Sequence, residues 1–474
     1  MKTRFAPCLL TAFMALSLPA GAESLVTVYE QALAYDSGLA ASRAARDSSR
    51  EAINESRANL LPQLNAFAES NYTERSTDDD SITTHRYGLR LDQPLFRANA
   101  WFGFKAAQEQ SKRAEAELSA AQQDLILEVA EQYFNVLRAQ DELDTARAQE
   151  TALRRQWEQA KERYEVGLIA TTEVEEARAG YDASQSQRIA AESQLDIERE
   201  GLARLSGQYY EDLHKLRVDF PVVIPEPADP QQWTETALMQ NWSIQAARLG
   251  LDAIEEELKA SRSGHLPTLD LSASVTRQHQ DGPDPFSPDA GQQAAFDTDD
   301  RRTDSSIGLS LNVPLYQGGG TRAQVRRVTS EVERAERELE TVRRNVRLQT
   351  RSLFRQVNTN RETLKAQQQT IVSRRSALDA TRAGYDVGTR NIVEVLDAEQ
   401  NYFVALRDFA NARYDYVLNT LRLRQAAGTL SPQDLFDLDR WLSATAPGIE
   451  RLARQITEQV NDDGDNGAPV VPTP

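Results

Sequence analysis

The sequence predicts an exported α+β membrane protein that contains two copies of one structural plan. Three observations lead to this fold class. The N-terminus has the features of a signal peptide, the two halves of the chain repeat each other at constant spacing, and long segments carry apolar residues at heptad spacing. Each half is expected to supply two strands and two long helices.

The first residues indicate the compartment. Lys2 and Arg4 precede a short apolar stretch, and the small residues at 20–22 suit signal-peptide cleavage, so the mature chain is expected to begin at Glu23. The apolar stretch is shorter than the roughly 20 residues that span a bilayer. The single cysteine, Cys8, would be removed with it, so we expect neither a disulfide nor a cysteine-linked lipid.

Composition narrows the class of protein further. Charged residues make up 27% of the chain and the mean hydropathy is −0.58, which excludes a helical membrane protein but not a transmembrane β-barrel, whose strands give a weak signal. The formal charge of −18 becomes −20 when Lys2 and Arg4 are lost. An acidic chain is a poor partner for nucleic acid, so none is expected.

Short motifs reveal the internal repeat. Leu-Pro-Gln-Leu at 61–64 returns as Leu-Pro-Thr-Leu at 266–269, an offset of 205 residues, and Tyr-Glu-Val-Gly at 164–167 returns as Tyr-Asp-Val-Gly at 385–388, an offset of 221. The chain is therefore predicted to divide as follows: a signal peptide over 1–22, a first repeat over 23–220, a linker over 221–241, a second repeat over 242–430, an equatorial C-terminal segment over 431–461 and a disordered tail over 462–474.

A strand pair is predicted after each Leu-Pro, where apolar and polar residues alternate. The predicted strands lie at about 62–74, 85–96, 267–281 and 304–316. Aromatic residues available for the interface belts of membrane strands are Phe67, Tyr72, Tyr87, Phe96 and Tyr316. Alternation alone fits a soluble hairpin equally well. The polar loops at 74–84, which contains three consecutive aspartates, and at 281–304 favour the membrane interpretation.

Long helices are predicted after each strand pair. They are expected at about 98–165, 171–207, 320–385 and 391–427, with Gly167 and Gly388 in left-handed turns between the arms of each hairpin. The apolar seam of the third comprises Val325, Val328, Val332, Ala335, Leu339, Val342, Val346, Val357, Leu364, Ile371, Leu378 and Tyr385. Counterparts 221 residues earlier are Phe104, Ala107, Leu118, Leu125, Val136, Leu143, Trp157 and Tyr164. An eleven-residue step from Val346 to Val357 opposes the left-handed supercoil and lets the helices run straighter.

The number of predicted strands indicates that the protein is an oligomer. Four strands cannot close a barrel, and an open sheet edge is not tolerated in lipid, so protomers must pool their strands. Eight strands leave an interior that side chains fill, so three or more protomers are favoured for a channel.

Four segments carry a resemblance to a known family. They read GHLPTLDL at 264–271, VPLYQGG at 313–319, YFNVL at 133–137 and NARYDY at 411–416. Together with the repeat, they make the chain similar to the TolC family of outer-membrane channels. The resemblance implies a homotrimer in the outer membrane of a Gram-negative bacterium, with a 12-stranded β-barrel continuous with a 12-helix periplasmic α-barrel.

The same resemblance implies function and partners. The chain is expected to be an exit duct for efflux of small toxic molecules or for type I protein secretion. It would contact outer-membrane lipid and dock with a periplasmic adaptor, or membrane fusion protein, and an inner-membrane transporter. No cofactor, metal or catalytic residue is expected.

Residues of a periplasmic gate are also implied by the resemblance. The matching positions are Tyr385, Arg390, Glu394 and Asp397 on the second hairpin and Glu162, Thr172 and Glu173 on the first. The tips that would contact the adaptor are Val166, Gly167, Leu168, Val387, Gly388 and Thr389. Without the resemblance, these residues would form an ordinary charged helix end.

We expect Arg390 to bridge to Glu173, with Tyr385 donating a hydrogen bond nearby. Glu394 and Asp397, three residues apart on one helix face, would form two acidic rings in a trimer. The chain departs from the family pattern, which has aspartate at the positions of Glu394 and Glu173 and an amide at Glu162. The departure bears on the tightness of the gate and on block by cations.

Two other classes of protein were weighed. An enzyme is disfavoured because the four histidines form no metal-binding helical pair, no Gly-x-Ser-x-Gly motif occurs, and the glycines at 318–320 lack the Lys-Ser/Thr of a phosphate loop. A soluble periplasmic coiled-coil adaptor would share the signal peptide, the heptads and the acidity. Fractionation separates it from a barrel protein.

Overall fold

The computed structural model describes residues 22–74, 81–281, 300–446 and 451. The predicted tail, the signal peptide up to residue 21 and most of both polar loops lie outside these ranges. The helices are α1 (Leu25–Tyr35), α2 (Ser37–Ala58), α3 (Ala98–Glu165), α4 (Thr171–Ser206), α5 (Pro230–Gln240), α6 (Trp242–Arg262), α7 (Gly320–Asp386), α8 (Ile392–Ala426) and α9 (Pro432–Asp439). The strands are β1 (Gln63–Glu74), β2 (Ser81–Phe96), β3 (Lys215–Leu216), β4 (Thr268–Asp281), β5 (Asp300–Asn312) and β6 (Leu442–Ser443).

The helices repeat more completely than the sequence motifs do. Helices α1 and α5 begin and end 205 residues apart, as the Leu-Pro motifs do. The predicted linker over 221–241 is therefore wrong in its second half, which forms α5. Pro230 opens that helix, a position where proline's missing N–H costs nothing, and the Asp229 side chain accepts a hydrogen bond from the Gln231 N–H at 2.8 Å.

The four long strands form one antiparallel sheet in the order β1-β2-β4-β5, with β1 and β5 at its edges. β2 begins at Ser81 and not at residue 85. β5 covers 300–312 and not 304–316, because Pro314 cannot donate a ladder hydrogen bond. Every strand joins the helices at the same end of the sheet, since β1 and β4 follow helices and β2 and β5 precede them.

The two faces of the sheet differ in polarity. One row of cross-strand neighbours comprises Leu64, Leu91, Ala273 and Ile307, and the adjacent row on the opposite face comprises Asn65, Arg90, Ser274 and Ser306. Phe67 pairs with Gly88 and so lies on the polar face. Alternation puts it on the face opposite its neighbours Ala66 and Ala68, and therefore not on the apolar face with Tyr72 and Tyr87.

The two longest helices, α3 and α7, each pack against several shorter helices. Near the sheet, α3 packs between α2 and α6, and α7 packs beside α6 and α5. Beyond the ends of α2 and α6, the return helices take their places, so that α3 contacts α4 and α8 and α7 contacts α8. Within the described ranges, no helix is both long and apolar enough to cross a bilayer.

The main core lies where the short and long helices meet. Tyr133 and Phe134 of α3 are fully buried there, and Tyr414 of α8 donates a hydrogen bond to the Asp141 carboxylate at 2.6 Å. Burial raises the pKa of Asp141 and outweighs the opposing effect of Lys215. This polar contact in an apolar core ties the long helix of one hairpin to the return helix of the other.

The predicted seam of α7 is confirmed over most of its length. Its buried members are Val328, Ala335, Leu339, Val346, Val357, Leu364, Ile371, Leu378 and Tyr385. The counterpart seam of α3 fails at its end, because the Tyr164 side chain is 45% exposed whereas that of Tyr385 is 7% exposed. Ala160 takes the buried position in α3, so the two hairpin tips are not equivalent.

Candidate gate at the helix tips

Each hairpin turns at a glycine with a positive φ. Gly167 has a φ of 76° and Gly388 a φ of 77°, which confirms the predicted left-handed turns. The Gly167 N–H donates to the Tyr164 carbonyl at 2.9 Å, and the Gly388 N–H donates to the Tyr385 carbonyl at 3.0 Å. These bonds satisfy carbonyls that the helix ends leave without an intrahelical partner.

Apolar side chains project from both turns. Val166, Leu168 and Val387 are 70%, 72% and 75% exposed. Gly167 and Gly388 lie beside them with no atom within 4 Å of the position of a Cβ, and the Thr389 hydroxyl donates to the Gly384 carbonyl at 3.0 Å. Exposed branched side chains on a rigid turn form a small apolar surface at each tip.

Immediately behind the turns, the two hairpins share an apolar cluster, here called the tip cluster. Its buried members are Ala160, Ala177, Tyr385, Ile392 and Val395. Trp157, at the edge of the cluster, stacks on Tyr181 with ring centroids 5.6 Å apart. Because the cluster draws residues from α3, α4, α7 and α8, it holds the four helix ends together within one protomer.

A charged residue of the first hairpin contacts the second directly. The Arg163 guanidinium lies 3.1 Å from the Asp386 carboxylate and 4.7 Å from the centroid of the Tyr385 ring. The Tyr385 hydroxyl is buried and donates to no other described residue. Sequence reasoning placed Tyr385 at the gate but missed the pair formed by Arg163, which directly precedes the first Tyr-x-Val-Gly, and Asp386, which is the second residue of the other.

Arg390, in the turn that precedes α8, pairs with Glu394 in the first turn of α8. Asn391 caps α8 and accepts a hydrogen bond from the Glu394 N–H at 2.9 Å, so Glu394 is fixed at the helix start. The hydrogen bond from Arg390 holds the pKa of Glu394 below its usual value. Within the described protomer, the predicted partner Glu173 is not the residue that Arg390 contacts.

The remaining predicted gate residues lie on the same helix ends. Glu162 is exposed in the last turn of α3, and Thr172 and Glu173 lie in the first turn of α4. Asp397 is exposed on α8, one turn beyond Glu394. The protomer thus brings the predicted residues to one end of the molecule and leaves the carboxylates accessible.

One further ion pair joins the arms of the second hairpin. Arg382 of α7 pairs with Glu399 of α8, whose side chain is 1% exposed. Removing one partner of a buried pair leaves an uncompensated charge, so this contact fixes the register of α8 against α7.

Comparison with known proteins identifies the family. The family model described as outer membrane efflux protein matches residues 28–208 and 233–429. This chain belongs to the outer membrane efflux protein family. The matched segments include both hairpins, all four long strands and the helix tips, so the resemblance drawn from the motifs is confirmed. As a family member, the chain is an outer-membrane efflux and secretion channel of a Gram-negative bacterium.

Individual relatives of this efflux channel cover almost all of it. The outer membrane protein TolC of Escherichia coli is 37% identical over 459 residues, covering 96% of this chain and 92% of TolC. TolC of Vibrio cholerae is 36% identical over 427 residues, covering 90% and 95%. The proteases secretion protein PrtF of Dickeya chrysanthemi is 29% identical over 457 residues, covering 94% and 96%.

Solved structures share the fold of this efflux channel. CusC superimposes with a TM-score of 0.75 at 19% identity, covering 87% of this chain and 95% of CusC. The Campylobacter jejuni CmeC outer membrane channel superimposes with a TM-score of 0.72 at 17% identity, covering 92% and 89%.

Proposed function

We propose that three copies of this chain form one continuous duct. Each copy would supply four strands to a 12-stranded barrel in the outer membrane and its helices to a 12-helix barrel in the periplasm. The observation that carries the proposal is the sheet itself, whose apolar face ends at two edges, β1 and β5, that need partners in lipid. Membership of a channel family supports the same arrangement.

The duct would carry either small toxic molecules or proteins of type I secretion. Similar proteins bear both kinds of name, from the alkaline protease secretion protein AprF to the pyoverdine export protein OpmQ, both of Pseudomonas aeruginosa. The exposed tips at 166–168 and 387–389 would meet a periplasmic adaptor, which in turn binds an inner-membrane transporter. The conduction path would need no cofactor and perform no catalysis.

The helix tips would close this duct at its periplasmic end. In a trimer, the residues near the axis would be Tyr385, Arg390, Glu394, Asp397, Glu162, Thr172 and Glu173. Arg390 would pass between Glu394 of its own hairpin and Glu173 of an adjacent hairpin. Opening would separate these links while every helix keeps its backbone hydrogen bonds.

Fractionation and electrophoresis test the assembly. We expect the mature protein in the outer-membrane fraction, soluble only in detergent, and expect it to run as a trimer on gels without heating and as a monomer after boiling. A mature protein that is recovered in the soluble periplasm, or that never forms a heat-sensitive oligomer, would contradict the duct.

Conductance tests the role of Arg390. Arg390→Ser should raise the ratio of open to closed channels about fivefold, because one exposed ion pair contributes up to about 1 kcal/mol. Single-channel recording in planar bilayers measures it. Arg390→Lys keeps the charge, so its ratio of open to closed channels should remain close to that of the wild type. An unchanged ratio in Arg390→Ser would show that Arg390 does not help to close the channel.

Cation block tests the acidic rings. The double variant Glu394→Ala with Asp397→Ala should raise the half-blocking concentration of a divalent cation about tenfold, or about 1.4 kcal/mol, because carboxylates that attract the cation are lost. The matched control is Glu333→Ala with Glu336→Ala, which removes two exposed carboxylates at the same spacing from α7 far from the tips. Equal block in the wild type and both variants would exclude the rings.

A further inference from the structure

Basic side chains interrupt the apolar face of the sheet near the strand ends farthest from the helices. One row of cross-strand neighbours comprises Ser70, His85, His279 and Arg301, and the adjacent row on the same face comprises Ala68, Tyr87, Arg277 and Thr303. The four basic residues, His85, Arg277, His279 and Arg301, are here called the basic belt. The rings of the two histidines lie 6.4 Å apart.

Alternation along the strands fixes the side of the sheet on which the belt lies. Arg277 follows Val275 by two residues on β4, and Arg301 precedes Ile307 by six on β5, so both share the face of the apolar rows. If that face contacts lipid, as the proposed barrel requires, the two rows of the belt lie about 7 and 13 Å beyond the row that contains Leu89 and Val275. Tyr87 is exposed in the first row of the belt and Tyr72 is exposed one row beyond the belt, near where aromatic residues of membrane barrels are found.

On the opposite face of the sheet, the arginines contact neighbouring side chains. Arg302 pairs with Asp304 at 2.9 Å, Arg90 pairs with Asp92 at 3.0 Å, and Arg86 donates to Gln278 at 3.1 Å. Each of these cations has a partner on its own face.

The two rows of the basic belt contain two arginines and no acid. Among the residues whose side chains the structure describes, Arg277 is exposed and forms no ion pair, and the acid that alternation puts on this face is Glu74, the last residue of β1. Arg301 and the two histidines have interactions of their own. Arg277 is therefore the cation of the belt that is most available to an external partner.

We propose that the basic belt binds the phosphate groups of phosphorylated lipids in the outer leaflet of the membrane. The proposal rests on the proposed barrel, in which the strand ends remote from the periplasmic helices face the cell exterior. Arginine suits this partner because its planar guanidinium binds phosphate oxygens in pairs. A cation just beyond the apolar rows lies at the depth of a lipid headgroup. This depth favours a lipid phosphate as the partner, because the binding of a soluble anion would not depend on it.

Lipid binding by the purified trimer tests the belt. The mature protein in a non-ionic detergent is titrated with bisphosphorylated lipid A, and lipid adducts are counted by native mass spectrometry. The double variant Arg277→Gln with Arg301→Gln should bind about 25-fold more weakly, roughly fivefold for each arginine near an anionic membrane surface. Wild-type protein should prefer this lipid over lipid A from which both phosphates have been removed.

The matched control moves the same change to the other face. Arg86→Gln with Arg302→Gln removes two arginines at nearly the same height but on the polar face, and its lipid affinity should stay within about twofold of the wild type. Arg277→Lys with Arg301→Lys keeps the charge and should retain most of the binding.

Three outcomes would overturn the belt: wild-type affinity in the Arg277→Gln, Arg301→Gln variant, an equal loss in the polar-face control, or full displacement of lipid A by millimolar inorganic phosphate. A heat-sensitive trimer is verified first on gels. Failure to form it would count against the proposed duct, whereas a normal trimer without phosphate preference would count against the belt alone.

Discussion

The substitution Gly428→Ala is expected to lower the free energy of unfolding by about 3 kcal/mol or more. Gly428 follows α8 with a φ of 76°, a conformation that costs a residue with a side chain about 1–2 kcal/mol. A Cβ there would also lie 2.4 Å from the Gln240 carbonyl oxygen and 2.8 Å from the Asn241 nitrogen. Both are backbone atoms between α5 and α6 and cannot move aside as a side chain would, so a strain of at least another 1–3 kcal/mol is added.

Substitutions at two other glycines separate the cost of the steric clash from the cost of the left-handed backbone conformation. Gly388 has nearly the same φ as Gly428, but nothing lies within 4 Å of the position of its Cβ. Gly388→Ala should therefore lower the free energy of unfolding by about 1 kcal/mol. Gly207→Ala should fall between them, because its Cβ would meet the ring of Tyr35, a side chain that can shift. Thermal unfolding of the detergent-solubilised trimer measures all three. Equal losses at Gly428 and Gly388 would show that the close approach of the backbone is not what requires glycine.

The substitution Arg163→Ser is expected to raise the ratio of open to closed channels about tenfold, provided that the proposed gate operates at the tips. It removes an exposed ion pair with Asp386 and a cation–π contact with the Tyr385 ring, each contributing up to about 1 kcal/mol. Both contacts join the first hairpin to the second. Combined with Arg390→Ser, the effect should reach about fiftyfold if the two links act independently.

A nearby arginine supplies the control for this experiment. Arg154 pairs with Glu158 within α3 at 3.0 Å, so Arg154→Ser removes the same side chain from the same helix without breaking a link between hairpins. Its conductance should match the wild type. Arg163→Lys should be intermediate, since it keeps the charge but loses the planar group over the ring. Wild-type conductance in Arg163→Ser would mean that the tip cluster alone holds the hairpins together.

Much of the fold is encoded in local patterns. Heptad spacing predicted the buried residues of α7 because that helix packs through a narrow face, whereas α3 is contacted by six other α-helices and buries Tyr133 and Phe134 outside the predicted seam. The pattern of one helix gives no information on how many neighbours surround it. Tyr164 shows the consequence, since its heptad position matches that of Tyr385 and its exposure does not.

Other features were missed for specific physical reasons. The prolines at 221–230 indicated a linker, yet Pro230 occupies the one helical position that proline favours. Contacts between hairpins, such as Arg163 with Asp386, depend on the axial register of α3 against α7, which no spacing within either helix specifies. The helix cap at Asn391 and the turns at Gly167 and Gly388 are local, and the two turns were predicted correctly.

The return helix α8 can be regarded as a lever. It contains 35 residues and spans about 52 Å between its tip turn and Gly428, where its end is pressed against the backbone that joins α5 to α6. A tilt of about 4° at that pivot would displace the tip by roughly 3.6 Å, comparable to the length of the ion pair that joins Arg163 to Asp386. Because α8 is held at its Gly428 end, a tilt too small to disturb the core would move the tips far enough to separate them.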